Sequence, residues 1–153
     1  RLRMRILLAL STGLRHGDID KWHVSDLDFE KSYVTTRSTK TRKSMGARPL
    51  PVPITEELKN HVSTLDPKQE RLFNRPFNQY RWTHIREKLG LCDFKFHDLH
   101  KTFGSVLAQN SVSTAVIQRL LEHSFPNLTN KVCTNVDPFL RDAVDRIPVG
   151  TWL

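Results

Sequence analysis

The chain has 153 residues, 38% hydrophobic and 26% charged, which places it with globular single domains able to bury a core and away from disordered chains. Its formal net charge of +8 favours a polyanionic partner, either nucleic acid or an anionic membrane surface. The longest apolar stretch, Met4 to Leu10, falls far short of the ~20 residues a bilayer-spanning helix needs and leads into no cleavage-site pattern, which argues against a membrane span and a signal peptide. Cys92 and Cys133 are too few for a disulfide framework and lack metal-ligand spacing, so a reducing, cytoplasmic setting is expected. The chain opens on Arg1 inside a helical pattern, without an initiator Met, which points to a piece of something longer.

Residues 2–12 carry apolar side chains at helical spacing and stop at Gly13. A short helical piece is expected from about His16 to Trp22. The period then changes: Val24, Leu27 and Phe29, followed by Tyr33 to Thr36, read as two short strands turning at Glu30-Lys31. A polar, basic loop from Ser38 to Ala47 leads to a third strand from Arg48 to Ile54, whose prolines at 49, 51 and 53 confine it to a sheet edge. Thr55 is the expected N-cap of the next helix, and Asn78 that of a helix stopping at Gly90. Helices at His97–Asn110 and Ser113–His123, a short piece near Leu128–Val132, and a helix at Pro138–Ile147 complete a single domain over 1–153. The expected fold class is mostly α with a small three-stranded antiparallel β-sheet.

Three places carry candidate chemistry. In Thr12-Gly13-Leu14-Arg15-His16-Gly17-Asp18, an arginine just past a glycine-terminated helix can reach a phosphate with its fork of donors, with Asp18 to hold it; the plainer reading is a surface Arg15–Asp18 pair. Between Arg37 and Arg48, five cations (Arg37, Lys40, Arg42, Lys43 and Arg48) stand in twelve residues with no acid among them, a positive finger suited to a phosphate backbone or a merely solvated hairpin tip. The run Phe96-His97-Asp98-Leu99-His100-Lys101 enters a helix, with His123 further on. These histidines could serve a phosphate or a proton transfer, or simply cap and solvate the helix. No H-E-x-x-H pattern accompanies them, so no metal is expected.

In this order the three places resemble the catalytic domain of the tyrosine recombinases, the phage integrase family. The resemblance rests on T-G-L-R at 12–15 with Asp18, S-T-K-T around Lys40 on the hairpin, F-H-D-L at 96–99 and L-E-H-S at 121–124, and spans nearly the whole chain. It implies a helical domain with a small antiparallel sheet, usually preceded by a helical core-binding domain that is missing from this piece. It also implies duplex DNA as substrate. In that chemistry a tyrosine hydroxyl attacks a phosphodiester and leaves a 3′-phosphotyrosine link and a free 5′-hydroxyl, with no cofactor, metal or external energy source. Carried over, Arg15 clamps the phosphate and Asp18 orients it. Lys40 protonates the leaving 5′-oxygen, while His97 and His123 bind the non-bridging oxygens, where charge accumulates in the transition state.

Two positions depart from the pattern. The second arginine of H-x-x-R falls at position 100, which is His100. Lys101 is adjacent but points about 100° away on a helix, a poor substitute. The loss of one anion-hole donor costs roughly 3–4 kcal/mol in such sites. The nucleophile position aligns with Cys133, ten residues after His123, and no tyrosine follows Tyr80. A soft thiolate suits a hard phosphodiester badly, so Cys133 reads better as a small, half-buried residue than as a nucleophile.

Two functional readings remain open: a site-specific recombinase or integrase catalytic domain that is disabled or weak, and a retired recombinase that binds duplex DNA without cutting it. Arg15, Arg37, Lys40, Arg42, Lys43, Arg48 and Lys101 are the candidate DNA contacts. The amphipathic C-terminal run from Asp137 could pack on its own core or on a neighbouring protomer, as in a tetramer on DNA. The expected location is cytoplasmic, with the nucleoid.

Overall fold

The computed structural model describes residues 1–37, 44–121 and 138–153. Helix α1 (Leu2–Thr12) ends where the sequence says it should. Gly13 turns left-handed with φ +66°, and its amide donates to the Ala9 carbonyl at 2.9 Å. Helix α2 is a single turn, His16–Ile19, and the segment Val24–Asp26 forms a 3₁₀ turn. Strands β1 (Leu27–Asp28), β2 (Tyr33–Arg37) and β3 (Ser44–Pro49) pair antiparallel in sequence order, with β3 at an edge. Helices α3 (Val52–Ser63), α4 (Gln79–Lys88), α5 (Asp98–Gln109), α6 (Thr114–Leu121) and α7 (Pro138–Asp145) follow. The described chain is thus seven helices around a small three-stranded sheet.

Three expectations about boundaries are corrected. Val24 belongs to the 3₁₀ turn and not to a strand. Strand β3 begins at Ser44 and ends at Pro49, four residues earlier at its start than Arg48 and five short of Ile54 at its end. Ser44, Gly46 and Ala47 pair with Arg37, Thr36 and Thr35, although nothing in that small, polar stretch signals a strand; the partner strand supplies the ladder. Thr55 lies inside α3, and Pro51 takes the N-cap position. Pro53 falls in the first turn, where a missing N–H has no helical acceptor to disappoint, so this proline run starts a helix instead of extending a strand. Asn78 caps α4 as expected, its side chain accepting from the Arg81 amide at 2.8 Å. The short piece near Leu128–Val132 and the last two residues of the helix expected over Ser113–His123 lie outside the described residues.

The core gathers Leu7 and Leu8 of α1, Val34 of β2, Ile54 and Leu58 of α3, Leu99, Phe103 and Leu107 of α5, Leu120 of α6 and Val144 of α7. Helix α1 packs along α5, and α5 against α6. A β-carbon at Gly13 would stand 2.5 Å from the ring of the fully buried Phe103, so glycine is what lets the end of α1 lie against α5. Helix α7 packs on the chain's own core through Ala143 and Val144, and Arg141 donates to the Ser32 carbonyl at 3.1 Å. Arg5 fastens the far side. It is 4% exposed, stacks 4.0 Å above the Phe73 ring, and donates at 2.6 Å to both the Asp20 carboxylate and the Arg75 carbonyl.

Candidate functional site

The site begins at the carbonyl end of α1. A helix leaves its last four carbonyls without intrahelical partners and carries a partial negative charge there. Thr12 closes part of this end itself: its hydroxyl donates to the Leu8 carbonyl at 2.6 Å and accepts from the Leu14 amide at 3.3 Å. Leu14 is buried, and Arg15 follows with extended backbone as the residue before α2. The turn therefore plants Leu14 in the core and sends Arg15 out to solvent. His16 fixes the start of α2 from the other side, stacked at 4.7 Å on Phe77 and edge-on at 5.7 Å to Phe96. That support was not anticipated from the sequence, because Phe77 and His16 are 61 positions apart.

Helix α5 brings His97 and His100 to the same turn. Their rings stack with centroids 5.4 Å apart and planes 14° from parallel. His97 is exposed and makes no capping hydrogen bond. The Asp98 carboxylate instead accepts from the Lys95 amide at 2.7 Å and from Lys101 Nζ at 2.9 Å, which holds the Asp98 carboxyl below its ordinary range. His100 is half-buried, and its Nδ1–H donates to the Gly13 carbonyl. Burial pulls the His100 pKa below the ordinary imidazole value. The Gly13 carbonyl pulls the other way, and the positive charges of His97, Arg15 and Arg48 add to the lowering. A neutral His100 with its proton on Nδ1 shows only a lone pair at Nε2.

Arg48 requires the largest correction. Grouped with the basic finger from sequence, it is 6% exposed and cannot reach along a phosphate backbone. It pairs with Val34 across the sheet, and cross-strand partners share a face. Val34 and Thr36 both point inward, so Arg48 does too. Its Nη1 donates to the Thr12 carbonyl and its Nη2 to the Leu120 carbonyl at 2.6 Å. Complete burial pulls its pKa down to about 9, against the favourable charge of Asp18, so the guanidinium stays charged at neutral pH. Among the described residues no ion pair joins Arg15 to Asp18, contrary to the expected pairing; the charge of Asp18 is felt at Arg48 instead.

The structure therefore brings Arg15, His97, His100 and Arg48 together around the end of α1, and leaves Lys101 exposed on α5 in an ion pair with Asp98. Arg37 lies at the end of β2. Lys40, Arg42, Lys43, His123 and Cys133 lie outside the described residues. Among the described residues, no helix is long and apolar enough to cross a membrane.

A helical domain with a small three-stranded antiparallel sheet thus carries Arg15 beyond its first helix and the stacked pair His97 and His100 at the start of α5. The sequence pattern of the phage integrase family matches residues 1–137, and the chain belongs to that family. It is similar to the tyrosine recombinase XerA of Pyrococcus furiosus, 27% identical over 154 residues that cover 94% of this chain and 54% of that protein. Among solved structures it is similar in fold to the integrase from mycobacterium phage Brujita, with a TM-score of 0.70 and 20% identity over 96% of this chain and 52% of that one. It is also similar in fold to a transposon integrase in complex with transposon right end DNA, with a TM-score of 0.58 and 18% identity over 80% of this chain and 50% of that one. The chain spans about half the length of the curated relatives it matches.

Proposed function

We propose that residues 1–153 form the catalytic half of a site-specific tyrosine recombinase or integrase, that this domain binds duplex DNA, and that its strand-breaking chemistry is disabled at positions 100 and 133. The observation that carries the reading is His100. An arginine there would offer a permanently charged fork of donors to the phosphate. His100 directs Nδ1 at the Gly13 carbonyl, and burial and the cations around it disfavour a second proton, so it offers an oxyanion less than an arginine's fork would. The sequence adds a thiol, Cys133, where the tyrosine hydroxyl is needed.

In this reading Arg15 and His97 contact the phosphate, Lys40 stands as the general acid, and His123 is a further phosphate ligand. Arg37, Arg42, Lys43 and Lys101 follow the backbone as positive charges, which a chain of net charge +8 supports. The alternative is a retired recombinase that only binds duplex DNA, and the pair at 100 and 133 is what discriminates the two. Assembly on DNA through the C-terminal segment belongs to the same reading, supported by the amphipathic pattern of the run from Asp137.

Relaxation of supercoiled plasmid in EDTA tests the proposal, comparing the chain with the double variant His100→Arg, Cys133→Tyr. The expected result is binding without cutting by the chain as it stands, and relaxation or covalent DNA capture by the double variant. Cutting by the unsubstituted chain would overturn the reading of both positions. Binding by both proteins with cutting by neither would favour the DNA-binding-only alternative.

A further inference from the structure

We propose that Arg48 is a positioning residue for Arg15: from the inner face of the sheet it holds the carbonyl end of α1 and so sets how the arginine turn meets a phosphate. This rests on the DNA-binding reading above and deepens it, adding to the site a residue that the T-G-L-R motif does not contain. Arg48 is buried, so its effect has to pass through the groups it holds. Among the described residues those groups include the carbonyls of Thr12, three residues before Arg15, and of Leu120, in a different helix. One planar, charged fork thus ties strand β3 to the ends of α1 and α6, and fixes the separation of three segments that no local sequence contact connects.

The electrostatics give this tie a functional meaning. A phosphate drawn to Arg15 approaches the negative end of the α1 dipole, where open carbonyl oxygens would repel it. The Thr12 carbonyl is taken by Arg48 and the Gly13 carbonyl by His100, so the two oxygens nearest the turn are engaged from behind. The buried charge of Arg48 is also weakly screened, because little water surrounds it. Arg48 therefore makes a site that would otherwise disfavour an anion acceptable to one, while Arg15 makes the contact.

The test uses Arg48→Met and Arg48→Lys, each alone and combined with Arg15→Ala, in the full chain. Duplex binding is read by fluorescence anisotropy in the cold, and amide hydrogen exchange by NMR at Gly13 and Leu14 and, for comparison, along α4. With Arg15 present, Arg48→Met is expected to weaken binding on the order of ten-fold, the coupling typical of residues that act as one unit. With Arg15→Ala already in place the same substitution should change affinity by less than about two-fold. Exchange at Gly13 and Leu14 should accelerate in Arg48→Met but not along α4, and Arg48→Lys should recover part of both effects. Equal losses in the two backgrounds, or exchange that rises uniformly through the chain, would overturn the proposal. Failure of both variants to fold in the cold would also overturn it, making Arg48 a residue of folding alone. If the unsubstituted chain binds no duplex, the DNA-binding reading fails by itself, and exchange at Gly13 and Leu14 still decides the role of Arg48.

Discussion

Replacing Gly13 by alanine perturbs the fold and the site through the same atom. Gly13 sits at φ +66°, a conformation that costs a residue with a β-carbon about 1–2 kcal/mol. The new β-carbon would also stand 2.5 Å from Cδ1 of Phe103, a ring buried completely between α1 and its neighbours. Overpacking of that kind costs about 1–3 kcal/mol, because the ring has to leave its rotamer or the helices have to part. The expected destabilisation of Gly13→Ala is therefore about 2–5 kcal/mol, or a fall in Tm of about 4–20 °C for a domain of this size. Urea and thermal unfolding measure it. The double variant Gly13→Ala, Phe103→Leu separates the two causes, since making room relieves the clash and leaves the backbone strain. The two substitutions should couple by about 1–3 kcal/mol. The Gly13 carbonyl is also the acceptor for His100, so duplex affinity should fall with stability. A Tm within a degree of the parent, or additive effects within about 0.5 kcal/mol, would refute the packing argument.

Arg5→Met should cost about 3–5 kcal/mol, because it strips the mostly buried Asp20 of its charged partner and frees the Arg75 carbonyl; urea denaturation checks this against the milder Arg3→Met, which loses a surface pair. Folding stability should decline as the pH drops from 7 towards 5. The pKa values of His100 and His61 are both lowered by burial, so the unfolded chain binds more protons in that window, and stability is fully present only above the ordinary imidazole value. Melting curves at pH 7.5 and pH 5.5, repeated on His100→Gln, should show a smaller drop in the variant. Duplex affinity should move the other way, strengthening as His100 gains a second proton that Nε2 can offer to a phosphate, and anisotropy across the same range should lose part of that slope in His100→Gln. Arg15→Ala should weaken binding to all duplex sequences alike and reduce the salt slope by about one, whereas an unchanged slope would remove Arg15 from the phosphate contacts.

Local chemistry explains which parts of the fold can be read directly. The stop of α1 at Gly13 and the start of α4 at Asn78 depend on residues that satisfy or release a few neighbouring backbone groups, so a short window contains the whole cause. The edge position of the third strand agrees with Pro49 at its end, a residue with no N–H for a further ladder. The extent of that strand is a different matter. Ser44 to Ala47 are extended because β2 lies beside them, and Pro51 and Pro53 open a helix because the chain turns there; neither cause is local.

The site divides along the same line. The residues that contact solvent, Arg15, His97 and Lys101, stand out in the sequence because charge and histidine at helix boundaries are visible in any short segment. From sequence alone came the family and the helical class with its small sheet. Only the tertiary structure decided that Arg48 is an inward brace and not part of the finger, and that the His100 Nδ1–H is directed at the Gly13 carbonyl. The reason is physical: a side chain's identity is a local fact, but whether its charge meets water, a carbonyl or another charge depends on which distant backbone is folded against it.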